Sequence, residues 1–421
     1  MSTLKVNKLR DTAGSADAIT LDPNGGAVLA GVTTVTSVKV GAAVTISESG
    51  IEASGIGITC ANINGTQIGG RRNLIINGAM QVAQRGTSQA SITSSGYYNI
   101  DRYRTALNTG TVTTSQSTDV PTGEGFSKSF KVDVTTADTS LSGTNFLHVQ
   151  QSIEGQNLQG LAYGTSGAKT ITLSFFVRSN KTGIYCISLE KTDNTRYDYT
   201  AEYTINSADT WEKKIITIAP DSNIKAAAGA IDNDNGKGFN LKFCLAAGGD
   251  RDNGTNNTWN TGTNHSTSNQ VNLLDSTSNE WYLTGVQLEV GSQATSFEHR
   301  SYGDELALCQ RYYYRQVAGD NEFFRGMAMA DVDGNSIELN SPFPTTMRIA
   351  PTAIEQTGTA SNYKIRRSTT ATCTSVPSFG HATTDQLQCR FTKSSHGFGD
   401  GSAVRCASGT SGAYIGVSAE L

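Results

Sequence analysis

The residues best equipped to recognise a ligand sit in two places. Between Gly248 and Asn279 a single tryptophan, Trp259, stands in a stretch holding eight asparagines, with Asn256, Asn257, Asn260 and Asn264 closest to it. An exposed indole face stacks on the C–H surface of a sugar while side-chain amides bond its hydroxyls. The same pattern also describes an anchor: a lone tryptophan packs down, pins the loop and leaves the asparagines as turn formers, and this is the preferred reading. Further on, Arg366 and Arg367 in KIRR, with Arg390 and Arg405, give the C-terminal part a cationic character suited to an anionic polysaccharide, although a solvated strand face is the commoner origin of such residues.

Other chemistries find less support. Asp232 and Asp234 (DNDNG) and Asp250 and Asp252 (DRDNG) are weak Ca²⁺ candidates. Neither run carries the Glu at the twelfth position that completes an EF-hand, and polar turns explain both. The five histidines, His148, His265, His299, His381 and His396, have no zinc-site spacing. No two carboxylates are paired in sequence for glycoside cleavage. Neither a metal, a cofactor nor an enzymatic activity is therefore expected. Seven widely spread cysteines without a C-x-x-C pair argue against a disulfide framework or zinc knuckle.

Length and composition bound the scaffold that holds these residues. A chain of 421 residues suggests two or three domains. Only 17% of residues are charged and 44 are glycine, a composition of strands and tight turns. A net charge of -4 gives no footprint for nucleic acid or an anionic membrane. With no apolar run of spanning length and no signal-peptide core, the chain is expected to be made as a soluble product of the cytoplasm, without membrane insertion.

Residues 23–70 carry Val and Ile at alternate positions with almost no charge. Val38, Val40, Val44, Ile46, Ile56, Ile58 and Ile63 form an apolar face that so short a segment cannot cover alone. Two arrangements answer this: three copies wound into a shared β-shaft, or an N-terminal hairpin pair packed on the main domain. From 71 to 300, eight alternating runs (126–134, 146–153, 169–179, 183–192, 198–205, 211–220, 239–247 and 280–291) predict a jelly-roll β-sandwich. Ile171, Leu173, Phe175 and Val177 share a core face, as do Trp281, Leu283, Val286, Leu288 and Val290 around a bulge-like Gly285. Trp211 and Trp281 are core candidates. Residues 303–316 read as a helix, with Leu306, Cys309, Tyr312 and Tyr313 at helical spacing, so that 301–316 connects to a smaller C-terminal β-sandwich, 317–421. The final AYIGVSAEL is expected to be tied into a sheet. The fold class is thus mainly β: N-terminal shaft, jelly roll, one connector helix, smaller C-terminal sandwich.

Three stretches in this order resemble tail-fibre and related virion structural proteins of marine tailed bacteriophages, cyanophages in particular. They are the opening MSTLKVNKLRDTAGSADAITLDPNGG, the junction IGGRRNLIINGAMQVAQRGTS, and WYLTGVQLEVGSQATSFEHRS followed by ELALCQRYYYR; AYIGVSAEL also looks like the ending of such proteins. The resemblance spans essentially the whole chain and brings no catalytic signature. It implies a homotrimer in the virion, docked on a tail protein through residues 1–22, with a shaft at 23–70 and β-sandwiches similar to carbohydrate-binding modules. It implies a host polysaccharide or lipopolysaccharide as partner. The short shaft also suits a decoration or purely structural virion protein, and is too short for a tailspike-type depolymerase with a groove along a β-helix.

Overall fold

The computed structural model describes residues 71–421 except Asp333 and, within 1–70, the backbone of eight short strands. The chain divides into two units, 1–61 and 62–421. In the first, strands Ser37–Val40, Val44–Ser47 and Gly50–Ala53 form an antiparallel meander, with Val38 opposite Ile46, Val40 opposite Val44 and Ile46 opposite Ile51. Ile63 lies in a two-residue strand of the second unit, and Ile56 and Ile58 lie outside the described residues.

The main sandwich is built from two antiparallel sheets. The first has seven strands in the spatial order Gly96–Tyr97, Arg104–Leu107, Phe146–Glu154, Lys237–Ala247, Gly183–Lys191, Tyr197–Ile205, Thr258–Asn260. The second has six: Glu212–Ile218, Ile171–Ser179, Glu280–Val290, Ser129–Thr136, Thr111–Ser117, Ser88–Ile92. All eight predicted runs are strands. Period-two alternation sends one face of each strand into the shared core: Leu147, Val149, Phe239, Leu241, Phe243, Ile187 and Leu189 from the first sheet meet Ile171, Leu173, Phe175, Val177 and Trp281 from the second.

At Gly285 the register between Ile171–Ser179 and Glu280–Val290 shifts, and the bulge carries Val286 and Leu288 onto the core face already used by Trp281 and Leu283. The glycine has φ +63°, and a Cβ there would stand 2.6 Å from the Phe126 ring. Trp211 departs from expectation. It lies half-buried on the outer face of the second sheet with Phe126, Phe176 and Phe297, its indole N–H donating to Asp119 at 2.8 Å.

The helix is shorter than its spacing predicts, running from Tyr302 to Gln310 with the Ser301 hydroxyl capping Asp304 N. Tyr313–Ala318 is a strand, paired with Ala413–Ser418. Three consecutive aromatics suit either period, and the available partner strand decides between them. Tyr312 and Tyr313 are accordingly not on a helical face with Leu306 and Cys309.

The C-terminal sandwich packs a three-stranded sheet (Tyr313–Ala318, Ala413–Ser418, Glu355–Gln356) on a seven-stranded one (Thr370–Thr372, Tyr363–Arg366, Ala403–Ser408, Met327–Ala330, Ser336–Pro342, Gln386–Thr392, Ser378–Ala382). Its core holds Ile337, Leu339, Tyr363, Ile365, Phe391, Ile415 and Val417.

The two sandwiches meet across a junction of stacked cations. Arg85 lies 3.4 Å over the Tyr313 ring and Arg102 3.4 Å over Tyr312. Glu154 receives Arg311 bidentately at 2.7 and 2.8 Å and accepts the Tyr312 hydroxyl. The irregular segment entering the junction is held by two amide side chains. Asn77, in left-handed conformation, bonds Val82 and Asp101; Asn73 bonds Ile75, Val286 and Leu288.

Candidate functional site

The face of the first sheet turned away from the core is polar, because the alternate positions of its strands are amides, hydroxyls and charges. Strand register sets them in rows across the sheet. One row runs Arg104, Gln150, Lys242, Ser188, Thr200. The next runs Ser152, Asn240, Glu190, Asp198.

Side chains in these rows bond one another and the adjoining Arg196 and His148. Lys242 Nζ lies 2.7 Å from Glu190 Oε2, and Arg196 lies 3.3 Å from Glu190 and 3.2 Å from Asp198. Asn240 Nδ2 donates to Glu190 at 3.3 Å and Ser152 Oγ to Asn240 Oδ1 at 3.3 Å. His148 Nε2 and Gln150 Oε1 are 2.8 Å apart.

Burial and charge set the protonation of this face. Burial pushes the Glu190 carboxyl upward, but Lys242 and Arg196 outweigh it and hold it below the usual range. At Asp198 burial prevails over the same two cations and raises the value to about 6. His148 is driven well below 6.5 by burial, with His265 and Lys242 adding to it, and His265 falls to about 3 by burial with Lys242, Arg251 and Arg196 nearby. At neutral pH the face therefore offers neutral imidazoles and amides beside fixed charges of both signs.

Both ends of the face are walled. At one end the segment 264–267 lies over the sheet: Ser188 Oγ donates to Asn264 O at 3.1 Å, Cys244 Sγ to His265 O, and Thr267 Oγ1 to Glu202 at 2.6 Å. The rings of Phe146, His148 and His265 cluster there with centroids 5.0–5.5 Å apart. At the other end stands the Glu154, Arg311 and Tyr312 cluster of the junction. Between the walls, Arg104, Arg196 and Lys237 are partly exposed and the Glu190 side chain is 13% exposed, while Gln150, Asn240 and Lys242 are buried. Among the described residues, His148 Nδ1, Thr200 Oγ1, His265 Nδ1 and Ser266 Oγ are buried without a hydrogen-bond partner. Such groups are rare in folded proteins unless water or a ligand meets them.

The residues singled out in the sequence fall unevenly around this face. Trp259 is 5% exposed; its ring packs on Tyr163 and Tyr199 and its N–H donates to Ala219 O at 3.0 Å. The indole is an anchor, closed to sugar stacking. Asn256 accepts from Glu202 N, Asn257 adopts φ 55°, and Asn260 bonds Thr258 O. Asn264 alone borders the polar face, its N–H 3.4 Å from Asp198. Arg366 and Arg367 lie elsewhere, on the C-terminal sandwich.

The two acidic runs lie at opposite ends of strand Lys237–Ala247. Asp234 accepts from Gly236 N, as in a polar turn, and Asp250 N donates to Gly143 O of a neighbouring loop. Among the described residues no three His, Cys, Asp or Glu side chains gather to hold a metal. The six described cysteines are free and buried.

The residues that sequence reading passed over are Gln150, Glu190, Arg196, Asn240 and Lys242. For Gln150, Asn240 and Lys242 the signal was present: in HVQQSIE and FNLKF the alternate positions His148, Gln150, Ser152, Glu154, Asn240 and Lys242 are polar inside strands otherwise rich enough for full burial.

No family model matches the chain, and no curated protein matches it. Among solved structures it is similar to the enzymatically active domain of tailspike protein 4 of bacteriophage CBA120, at 15% identity and TM-score 0.28, over 52% of this chain and 21% of that one. It therefore spans about a fifth of that structure. It is also similar to a putative sugar binding protein from Bacteroides thetaiotaomicron (12%, TM-score 0.28, 52% of this chain and 100% of that one). A third is a family 11 carbohydrate-binding module from Clostridium thermocellum (12%, TM-score 0.24, 50% and 98%).

Proposed function

We propose that this chain is a glycan-binding subunit of a phage tail fibre, working by attachment and not by turnover. The observation that carries the binding part is the walled polar face of the first sheet. Arg104, Glu190 and Arg196 are partly exposed there, and Gln150 and Asn240, each 4% exposed, lie beneath them, so that guanidinium, carboxylate and amide groups gather on adjacent strands and one strand-flanking loop of a rigid scaffold. Hydroxyl-rich ligands need such a mixture of donors and acceptors, and rigid strands present it at little entropic cost. The tail-fibre part rests on the opening, junction and closing stretches of the sequence. In this reading residues 1–22 dock on a tail protein of the virion, three copies share the apolar face of 23–70, and weak single sites gain strength through effective concentration.

The test is binding of the purified chain to host surface polysaccharide. Arg104→Ala and Glu190→Gln are expected to weaken it by roughly tenfold each while leaving the circular dichroism spectrum unchanged. Parent protein that neither binds polysaccharide nor blocks phage adsorption would assign the chain to decoration of the particle. Release of new reducing ends would make it an enzyme. Light scattering is expected to return three chain masses, and a single chain mass would remove the shared shaft.

A further inference from the structure

The outer face of the C-terminal seven-stranded sheet holds a cleft of about 640 Å³ lined by Phe323, Arg366, Arg367, Ala403, Val404 and Arg405. Arg366 and Arg405 are direct cross-strand partners. Like charges placed opposite each other weaken strand pairing, so a sheet that keeps them ordinarily supplies a counter-charge. This sheet does so for Arg390, which meets Glu338 at 3.1 Å. Among the described residues no carboxylate forms an ion pair with Arg366, Arg367 or Arg405. Arg405 and Arg366 instead approach the Phe323 ring at 4.8 and 6.0 Å, and Arg367 donates to Ser402 Oγ at 3.2 Å.

Phe323 is 42% exposed, and its backbone is fixed by a bridge to Ala407. Val404 is buried beneath the cleft. The site thus combines an exposed aromatic surface, three exposed guanidiniums and an uncompensated like-charge pair. A guanidinium binds a carboxylate or phosphate through parallel N–H donors, and an aromatic face takes the C–H side of a sugar ring.

We propose that this cleft binds an acidic sugar, its carboxylate or phosphate bridging Arg366 and Arg405 while its ring lies against Phe323. The proposal rests on the glycan-binding reading above and adds to it the charge of the ligand and a second place of attachment. Because the guanidiniums face solvent, the binding is salt-sensitive.

The experiment uses the full chain and calorimetric titration with three probes: trigalacturonate, its methyl ester, and mannose 6-phosphate. At about 50 mM salt at least one of the two acids is expected to bind, and which one does identifies carboxylate or phosphate as the preferred group. The Arg366→Ala/Arg405→Ala double variant is expected to weaken that binding by about tenfold or more, as is Phe323→Ala to a lesser degree. All three positions are exposed, so unchanged thermal unfolding serves as the control for folding. Arg366→Lys/Arg405→Lys keeps the charge without the fork and is expected to fall between parent and double alanine variant. Acid binding equal in the double variant and the parent overturns the proposal. So does failure of both acids while host polysaccharide still binds and still responds to Arg104→Ala, and in that outcome the glycan reading stands without this cleft. Failure of every saccharide removes both.

Discussion

Glu420, one residue from the end of the chain, forms an ion pair with Arg102, 318 positions earlier, and the two side chains are only 6% and 1% exposed. Arg102 stacks on Tyr312 and donates to Ser152 O at 2.6 Å. Arg348 holds the same chain end by donating to Ala419 O at 2.7 Å and Glu420 O at 2.8 Å. The C-terminus is thereby fastened to the first sandwich. Glu420→Ala leaves a buried guanidinium without its partner, a loss of about 3–5 kcal/mol in urea unfolding of the C-terminal sandwich. A loss under about 1 kcal/mol would mean that the pair behaves as a surface contact.

Trp259 supports the loop without touching ligand. Trp259→Ala is expected to cost about 3–5 kcal/mol and to expose the 248–279 segment to limited proteolysis, while polysaccharide affinity, measured on the surviving folded fraction, stays near that of the parent. An affinity loss as large as that of Arg104→Ala, without a loss of stability, would give the indole a direct role.

The buried imidazoles predict acid sensitivity with a definite sign. His265 titrates near 3 in the folded chain against 6.5 for an unperturbed imidazole, so between those values the unfolded chain binds more protons. The stability it contributes is complete above about pH 6.5 and is lost as pH falls toward 3, amounting to about 2 kcal/mol by pH 5. Asp101 and Asp198, each raised to about 6 chiefly by burial, act oppositely: their contribution is present below 3.8 and is lost as pH rises through 6. His265→Gln should therefore shrink the stability drop between about pH 7 and pH 5 by about 2 kcal/mol. Equal drops in variant and parent, by urea unfolding at each pH, would contradict this.

Gly285 is a position that does not tolerate a single added carbon without strain. Gly285→Ala puts a Cβ at φ +63° and 2.6 Å from Phe126, an expected cost of about 2–4 kcal/mol in thermal unfolding. Phe126→Leu in the same chain relieves the contact but not the backbone conformation, and should recover part of the loss. No recovery would place the whole cost in the backbone.

Which parts were legible follows from the range of the forces involved. Alternation along KTITLSFFVRS named the core face of Ile171–Ser179, because side-chain direction in a strand is fixed by position alone. The helical spacing of Leu306, Cys309, Tyr312 and Tyr313 misled, since Tyr313 pairs with Ser418 and no local pattern announces a partner a hundred residues away. Asn73 and Asn77, within one of the stretches carrying the family resemblance, are structural, bonding backbone groups at the junction.

Read alone, the amino-acid order establishes that this protein is built of strands and which residues of those strands are apolar. Composition and period two are local properties, and short-range sterics translate them directly into strands with two distinct faces. Which polar residues stand side by side is a matter of tertiary packing. Glu190 meets Lys242 and Asn240 through strand pairing, Arg366 faces Arg405 across two strands, and Trp259 is buried by an edge strand laid against Tyr199. Register between distant segments is set by the packing of whole sheets, and it is register that turns scattered polar residues into a site.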